Sequence, residues 1–326
     1  MLTSLEAITL DAERHAAELV QQARHLNAAA SHAASVTRAT SRGDGRETAA
    51  ALHSAQRAVF QAAQQLHQAA IAGRGFLQRQ GAAAADTASG TGGDPMDIPA
   101  RSPEPSLPAG IAYSDVSTRP LFGDVPFGYG SAQQGQLCDC FLIASLCAVA
   151  GTESGTLRKS LTRRASDGRI TCGADSHEDT LPTDGSGDIY GTTPDGSSWV
   201  GHLEKAYAGH LGGYDKLGEG GWPSAALQWI TGRETRTIET ATLDESDLAS
   251  VISSGRPTVA TCSGPPGSNA ALAREYQVVY QGAHAYAVKG IDADRNVHLH
   301  NPWGQFHPKP MSIGTFRELF WRIDTC

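Results

Sequence analysis

The chain has 326 residues and a formal net charge of −8. That length fits two units rather than one small domain, and the acidic balance argues against a general nucleic-acid binder. With 40% hydrophobic residues the chain can build a core, yet no stretch of about 18 apolar residues is present to span a membrane. The six cysteines, at 138, 140, 147, 172, 262 and 326, are dispersed and do not read as a disulfide framework, so a reducing compartment is expected. Abundant alanine, with arginine outnumbering lysine, points to a GC-rich bacterial gene. The start, MLTSLEAITL, lacks a basic stretch followed by an apolar run. A bacterial cytoplasmic location is therefore expected, with non-classical secretion as the alternative.

Residues 4–38 place Leu5, Ile8, Ala12, Leu19, Ala23, Leu26 and Ala30 on one helical stripe. SRGDG at 41–45 is a turn, and Asp44 is a candidate cap for a second helix over about 47–77. Two long helices joined by a short turn predict an antiparallel α-helical hairpin over residues 1–80. Alanine buries little area, so the hairpin is expected to need a partner or a second copy. Residues 81–110, rich in alanine, glycine and proline, read as a flexible linker.

From Ile111 the texture changes. Residues 138–150 predict a buried helix capped by Asp139. The Asp-, Gly- and Thr-rich stretch 164–196 reads as short strands and turns. LEKAYAGHL (203–211) and ALQWIT (226–231) predict helices, with GGYDKLGEGGWP (212–223) as a loop. YQVVY (276–280), HAYAVKGID (284–292) and VHLHNPW (297–303) predict strands, the last two joined by a hairpin turn at DADRN. Helices followed by an antiparallel sheet make residues 111–326 an α+β unit.

QGQLCDCFLIASL (134–146) holds two cysteines two apart. A zinc clip lacks a second ligand pair to complete it. A redox pair would close a strained ring. The remaining reading is one working thiol, Cys140, with Cys138 as a bystander. Cys140 stands where the predicted helix begins, and a helix N-terminus and a nearby histidine both lower a thiol pKa. The plain alternative is an ordinary buried cysteine, as Cys147 is expected to be. His284 opens a predicted strand, and Asn301 follows the next one. A hairpin would bring Asn301 beside the His284 ring, where an amide can hold an imidazole toward a thiol. Taken singly, a strand-end histidine and an Asn-Pro turn carry no chemistry.

Together these segments resemble the calpain family of cysteine proteases. QGQLCDCFLIASLCAVA is similar to the family's cysteine motif, and HAYAVKGID followed by NPWG to its histidine and asparagine motifs, in order. LPTD (181–184), Trp199 to LEKAYA, GGYDKL and the ending MSIGTFRELFWRID also resemble family segments. The resemblance covers about residues 112–326. It implies a papain-like core of a helical and an antiparallel β subdomain, preceded here by the hairpin. It also implies peptide hydrolysis through a thioester acyl-enzyme.

Residue by residue, Cys140 matches the nucleophile, His284 the general base and acid, and Asn301 the residue orienting His284. Gln134 matches the oxyanion donor and Trp303 the indole beside the His–Asn pair. Gly220 and Gly221 match substrate-binding glycines, with one residue inserted nearby. In calcium-dependent members an acidic residue precedes the glutamine, where Ser131 stands here. Glu204 matches another ligand of that site. A second site uses an acidic residue after NPW, about where His307 stands. Because Ca²⁺ takes several oxygen ligands, the expectation is a calcium-independent enzyme with no metal or other cofactor. Glu204 is then expected to be a buried carboxylate paired within its helix or to a loop.

Protein or peptide substrates follow, with self-association or partner docking expected of the hairpin. A cover over the cleft and an export role are its alternatives; the Trp-x-Gly turn of type VII secretion substrates is absent. Two other functions compete. One is a papain-like toxin acting as a deamidase, transglutaminase or deubiquitinase. The other is an inactive scaffold carrying a helical interaction module.

Overall fold

The computed structural model describes residues 8, 15, 100–101, 103–108, 111–173, 175–185, 187–262, 269–279 and 284–326. The chain divides into two compact units, Met1–Asp97 and Ile98–Cys326. The expected hairpin lies outside the described residues, save for Ile8 and His15, and all that follows concerns the second unit.

Its first helix, α1 (Cys140–Thr152), is buried at every position from Phe141 to Ala150. A helix that is apolar all round belongs in a core. The short α2 (Ser154–Ser160) follows it. Small sheets surround this helical part. β1 (Ala100–Arg101), β3 (Leu161–Arg163), β4 (Ile170–Cys172) and β5 (Asp175–His177) form one in the order β1-β5-β4-β3, while β2 (Ala112–Asp115) pairs with β6 (Thr180–Thr183). Then come α3 (Trp199–Leu211), α4 (Tyr214–Gly218) and α5 (Pro223–Thr231). Pro223 starts α5 with a φ already suited to a helix. The turn α4 interrupts the loop expected over 212–223.

The second part is a six-stranded antiparallel sheet in the order β11-β10-β9-β8-β12-β7. Its strands are β7 (Arg236–Glu239), β8 (Thr258–Cys262), β9 (His284–Ile291), β10 (Asn296–His300), β11 (Met311–Ser312) and β12 (Arg322–Thr325). The helices α6 (Glu245–Ile252), α7 (Ala270–Glu275) and α8 (Ile313–Leu319) accompany it. Asp244 caps α6 by accepting from the Asp247 N–H at 2.8 Å. The expected turn at DADRN closes the β9–β10 hairpin, with Arg295 at φ 62°. The strand expected at YQVVY is not formed. Tyr276 ends α7, Gln277 takes φ 58°, and the described remainder of the stretch is irregular. Its apolar residues serve a turn, in which Val278 is buried.

The sheet is covered on both faces, and β9 divides its residues between them. Ala285 and Ala287 join the core built on α1, while Tyr286 and Val288 join a second core with α6 and α8. Successive side chains on a strand point to opposite faces. The alanines therefore let α1 lie close against β9, and the large residues fill the opposite side.

The expected linker 81–110 differs in its last part. The backbone of Ala100–Arg101 pairs with β5. The Pro105 carbonyl accepts from Tyr113 Oη at 2.8 Å, and the Ser106 carbonyl accepts from the Tyr214 N–H at 3.1 Å. Glu104 accepts from the Glu178 N–H at 2.9 Å and pairs with the fully buried Lys205 ammonium. Residues 103–108 are thus a strap fastened to the helical part, and the rest of 81–110 lies outside the described residues. Leu107 packs on the core. Each of these links uses a backbone group or a single charge, so local composition does not announce them.

Candidate active site

Cys140 is the first residue of α1 and His284 the first of β9. Because α1 lies along β9, the two chain starts come together, with the Ala285 amide near enough to the Cys140 thiol to favour its charged form. The sequence places a helix-breaking loop before one and a strand start at the other, and core packing supplies the juxtaposition.

His284 is 4% exposed, and its Nε2 lies 3.0 Å from Asn301 Oδ1. An amide oxygen only accepts, so Nε2 carries the proton and Nδ1 is left as a base. Asn301 is fully buried. Its Oδ1 also accepts from the Trp303 N–H at 3.2 Å, and its Nδ2 donates to the Phe306 carbonyl at 3.2 Å. The Trp303 indole lies against the imidazole with ring centroids 4.9 Å apart. The expected His–Asn–Trp cluster is therefore assembled.

Electrostatics differ from the sequence expectation in one respect. Cys140 is half-buried. Burial pushes the thiol up to about 12, with Asp139 and Cys138 adding to the rise and the Ala285 and Phe141 amides opposing it. Burial takes His284 down to about 4 against the favourable Asn301 bond. Desolvation disfavours whichever form is charged. It outweighs the helix N-terminus here, so at neutral pH the pair stands as thiol and imidazole, not as an ion pair.

Gln134 lies in a loop pinned on two sides. Its backbone N–H donates to the Pro302 carbonyl at 2.8 Å, next to Asn301. The neighbouring Gln133 exchanges both backbone bonds with Thr192 at 2.9 Å. A Cβ on Gly135 would meet the Tyr190 carbonyl oxygen at 2.2 Å, so only glycine permits this approach. Gln134 Nε2 donates to the Leu137 carbonyl at 2.6 Å. An amide nitrogen carries two protons, so one remains to donate.

A Cβ on Gly221 would fall 2.6 Å from the Phe141 ring, so Gly221 lies against the residue that follows Cys140. Gly220 precedes it at φ 86°. Trp222 is buried, with the Arg322 guanidinium 4.6 Å from its ring, and packs beneath the loop rather than lining an opening. Cys138 is exposed and, like every described cysteine, is unpaired.

Two residues behave in ways the sequence did not disclose. Asp139 stands at the cap position, but its side chain makes no capping bond. It is fully buried beside Glu204, whose two oxygens accept from the Gly191 N–H at 3.1 and 3.0 Å. Burial raises both carboxyls, Asp139 to about 7; the Asp139 charge and hydrogen bond raise Glu204 further, while Glu204 pulls Asp139 down. Glu204 is thus the buried carboxylate, tied to a loop, that was expected. Ser131 Oγ accepts from the Gly128 N–H at 2.9 Å, and His307 Nδ1 accepts from the Asn301 N–H at 3.1 Å. Among the described residues no three histidine, cysteine, aspartate or glutamate side chains are grouped to hold a metal ion. The donor set does not fit the six to eight oxygens that calcium takes.

The family model of the calpain family cysteine proteases matches residues 176–310. This is the family the sequence resembles, and cysteine-type peptidase activity goes with it. The calpain-family match takes in Glu204, Gly220, Gly221, His284, Asn301 and Trp303. It begins after Gln134 and Cys140, which stand on the cysteine motif and on their position against β9. The mixed helices and antiparallel sheet agree with a calpain-like core. No curated protein matches the chain.

Proposed function

We propose that residues 111–326 form a calpain-like endopeptidase of papain-like, two-subdomain build that works without calcium. The observation that carries it is α1 packed along β9, which brings the Cys140 end of the helix to the strand start where His284 is held by Asn301. The helical core bearing Cys140 and the β core bearing His284 and Asn301 favour the two-subdomain reading.

In the reaction, the Cys140 sulfur attacks the scissile carbonyl carbon as its proton passes to His284 Nδ1. Asn301 keeps Nε2–H engaged and stabilises the imidazolium that forms. The developing oxyanion accepts hydrogen bonds from the second Gln134 Nε2–H and from the Cys140 N–H. His284 returns its proton to the leaving amine, the C–N bond breaks, and a thioester remains. Water, deprotonated by His284, then attacks the thioester and frees the thiol. Starting from a neutral pair, the proton transfer accompanies attack instead of preceding it. Gly220 and Gly221 are suited to take substrate backbone, since a side chain at 221 would strike Phe141.

Calcium independence is favoured by Ser131 and His307, which replace acidic positions, and by Glu204, whose oxygens the Gly191 amide occupies. A casein digest with wild type and Cys140→Ala, in EGTA and in calcium, tests the reading. We expect new peptide termini with wild type in both buffers and none with the variant. Glutamine deamidation without new termini would replace hydrolysis by the toxin reading, and activity only in calcium would remove the independence.

A further inference from the structure

We infer that His307 is a positioning residue: through its bond to the Asn301 backbone it fixes the amide that orients His284. This rests on the peptidase reading for its consequence in rate, but not for the geometry. Asn301 is fully buried, and its polar groups are all engaged in a closed loop. Oδ1 serves His284 and the Trp303 N–H, Nδ2 serves the Phe306 carbonyl, and the backbone carbonyl accepts from the Gly304 N–H at 3.0 Å. The backbone N–H is left, and it donates to His307 Nδ1 at 3.1 Å. Phe306, at φ 53°, turns the chain so that residue 307 returns over Asn301. A left-handed conformation is costly for a bulky residue and persists only where the surroundings hold it.

His307 is itself exposed, but without it the N–H of the fully buried Asn301 loses its protein acceptor. Residue 301 could then relieve it by rotating its peptide, which would carry Oδ1 away from His284 Nε2. The bond requires an unprotonated Nδ1. The groups facing the ring favour that state. The His300 ring, from β10, lies 4.4 Å away between centroids and is itself held to about 4 by burial; the Lys289 ammonium, from β9, adds a positive field. Burial and Lys289 lower His307 as well. Position 307 thus has a task of its own beyond lacking a carboxylate.

The test uses the full chain as wild type, His307→Ala and His307→Asn. Asparagine Oδ1 can stand where Nδ1 stands and does not titrate. NMR follows the Asn301 amide and the His284 Nε2–H signal, and peptide hydrolysis is measured over roughly pH 3.5 to 8. In His307→Ala we expect the Nε2–H signal to be lost to exchange. We expect kcat to fall about 10- to 100-fold with KM within about twofold. His307→Asn should restore both and lose one component of the acid limb. An unchanged Nε2–H signal with unchanged kcat in His307→Ala overturns the inference, as does an asparagine variant no better than alanine. Should the alanine variant not fold, an acid limb of His307→Asn identical to wild type overturns it. If wild type cleaves nothing, the peptidase reading fails and the NMR arm alone decides the positioning role.

Discussion

At the scale of single residues, Cys140 and His284 illustrate how burial and catalysis interact. Enclosure holds both in their neutral forms, so the acid limb of kcat/KM should fall with an apparent pKa near 4, owned by the coupled pair, and not near 6.5. A pH profile of an irreversible thiol label measures this; a limb near 6.5 would mean the thiolate–imidazolium pair is already formed. The same burial has a stability sign. His284 is held below its unfolded value, so the unfolded chain gains the proton first. Stability is full above about pH 6.5 and falls by up to about 3 kcal/mol as the pH drops toward 4. His177, taken down to about 2 chiefly by burial, and His202, lowered by burial, act in the same direction. Urea midpoints at pH 7 and 5 check it. Replacing Gln134 by Ala should lower kcat about 10²- to 10³-fold by removing an oxyanion donor, with casein cleavage as the readout. Retained kcat would take Gln134 out of the reaction. Cys140 and His284 were legible as candidates because their residue types stand at element starts in chain order. Asp139 was not: its cap position is local information, whereas its pairing with Glu204 joins the start of α1 to a residue of α3 far along the chain.

At the scale of elements, the sequence disclosed what periodicity and turn chemistry can carry. The apolar run of α1, the alternation in β9 and the DADRN turn each point one way, and the structure follows them. YQVVY alternates as well, but it follows a helix end and serves a turn; a short apolar alternation does not distinguish these. Buried charge pairs are equally hidden. Arg322 and Asp324 are both fully buried on β12, with Nε–Oδ2 at 2.8 Å and Nη2–Oδ1 at 2.6 Å. Removing one partner strands the other charge away from water. Asp324→Asn should therefore destabilise by about 3 kcal/mol, seen as an earlier thermal transition. A loss under about 1 kcal/mol would mean that water reaches Arg322.

For the whole molecule, the strap changes where the chain can be divided. The composition break near residue 110 marks a boundary by texture, but residues 103–108 are seated on the helical part. A chain beginning at Ile98 keeps Glu104 against Lys205, while one beginning at Ile111 leaves that ammonium buried without its partner. The first is expected to melt near the transition of the full chain's second unit. The second should melt earlier, by about 1–3 kcal/mol after allowing for the partial exposure of Glu104. Equal melting of the two would show that the strap contributes nothing. Limited proteolysis should likewise spare residues 103–108, because seated backbone does not extend into a protease cleft.

The two alanines on one face of β9 act as a spacer gauge. Cys140 and His284, the proposed nucleophile and base, are each the first residue of an element, so their separation is set by how deeply one element beds on the other. Ala285 and Ala287 set that depth from inside the core, without touching substrate. Thickening the gauge, as in Ala287→Val, should leave the chain folded at a cost of about 1–3 kcal/mol. It should mistime the thiol against the imidazole, lowering kcat more than KM, as steady-state kinetics would show. The proposed reaction is thereby adjustable from the interior, through two methyl groups on the core face of β9.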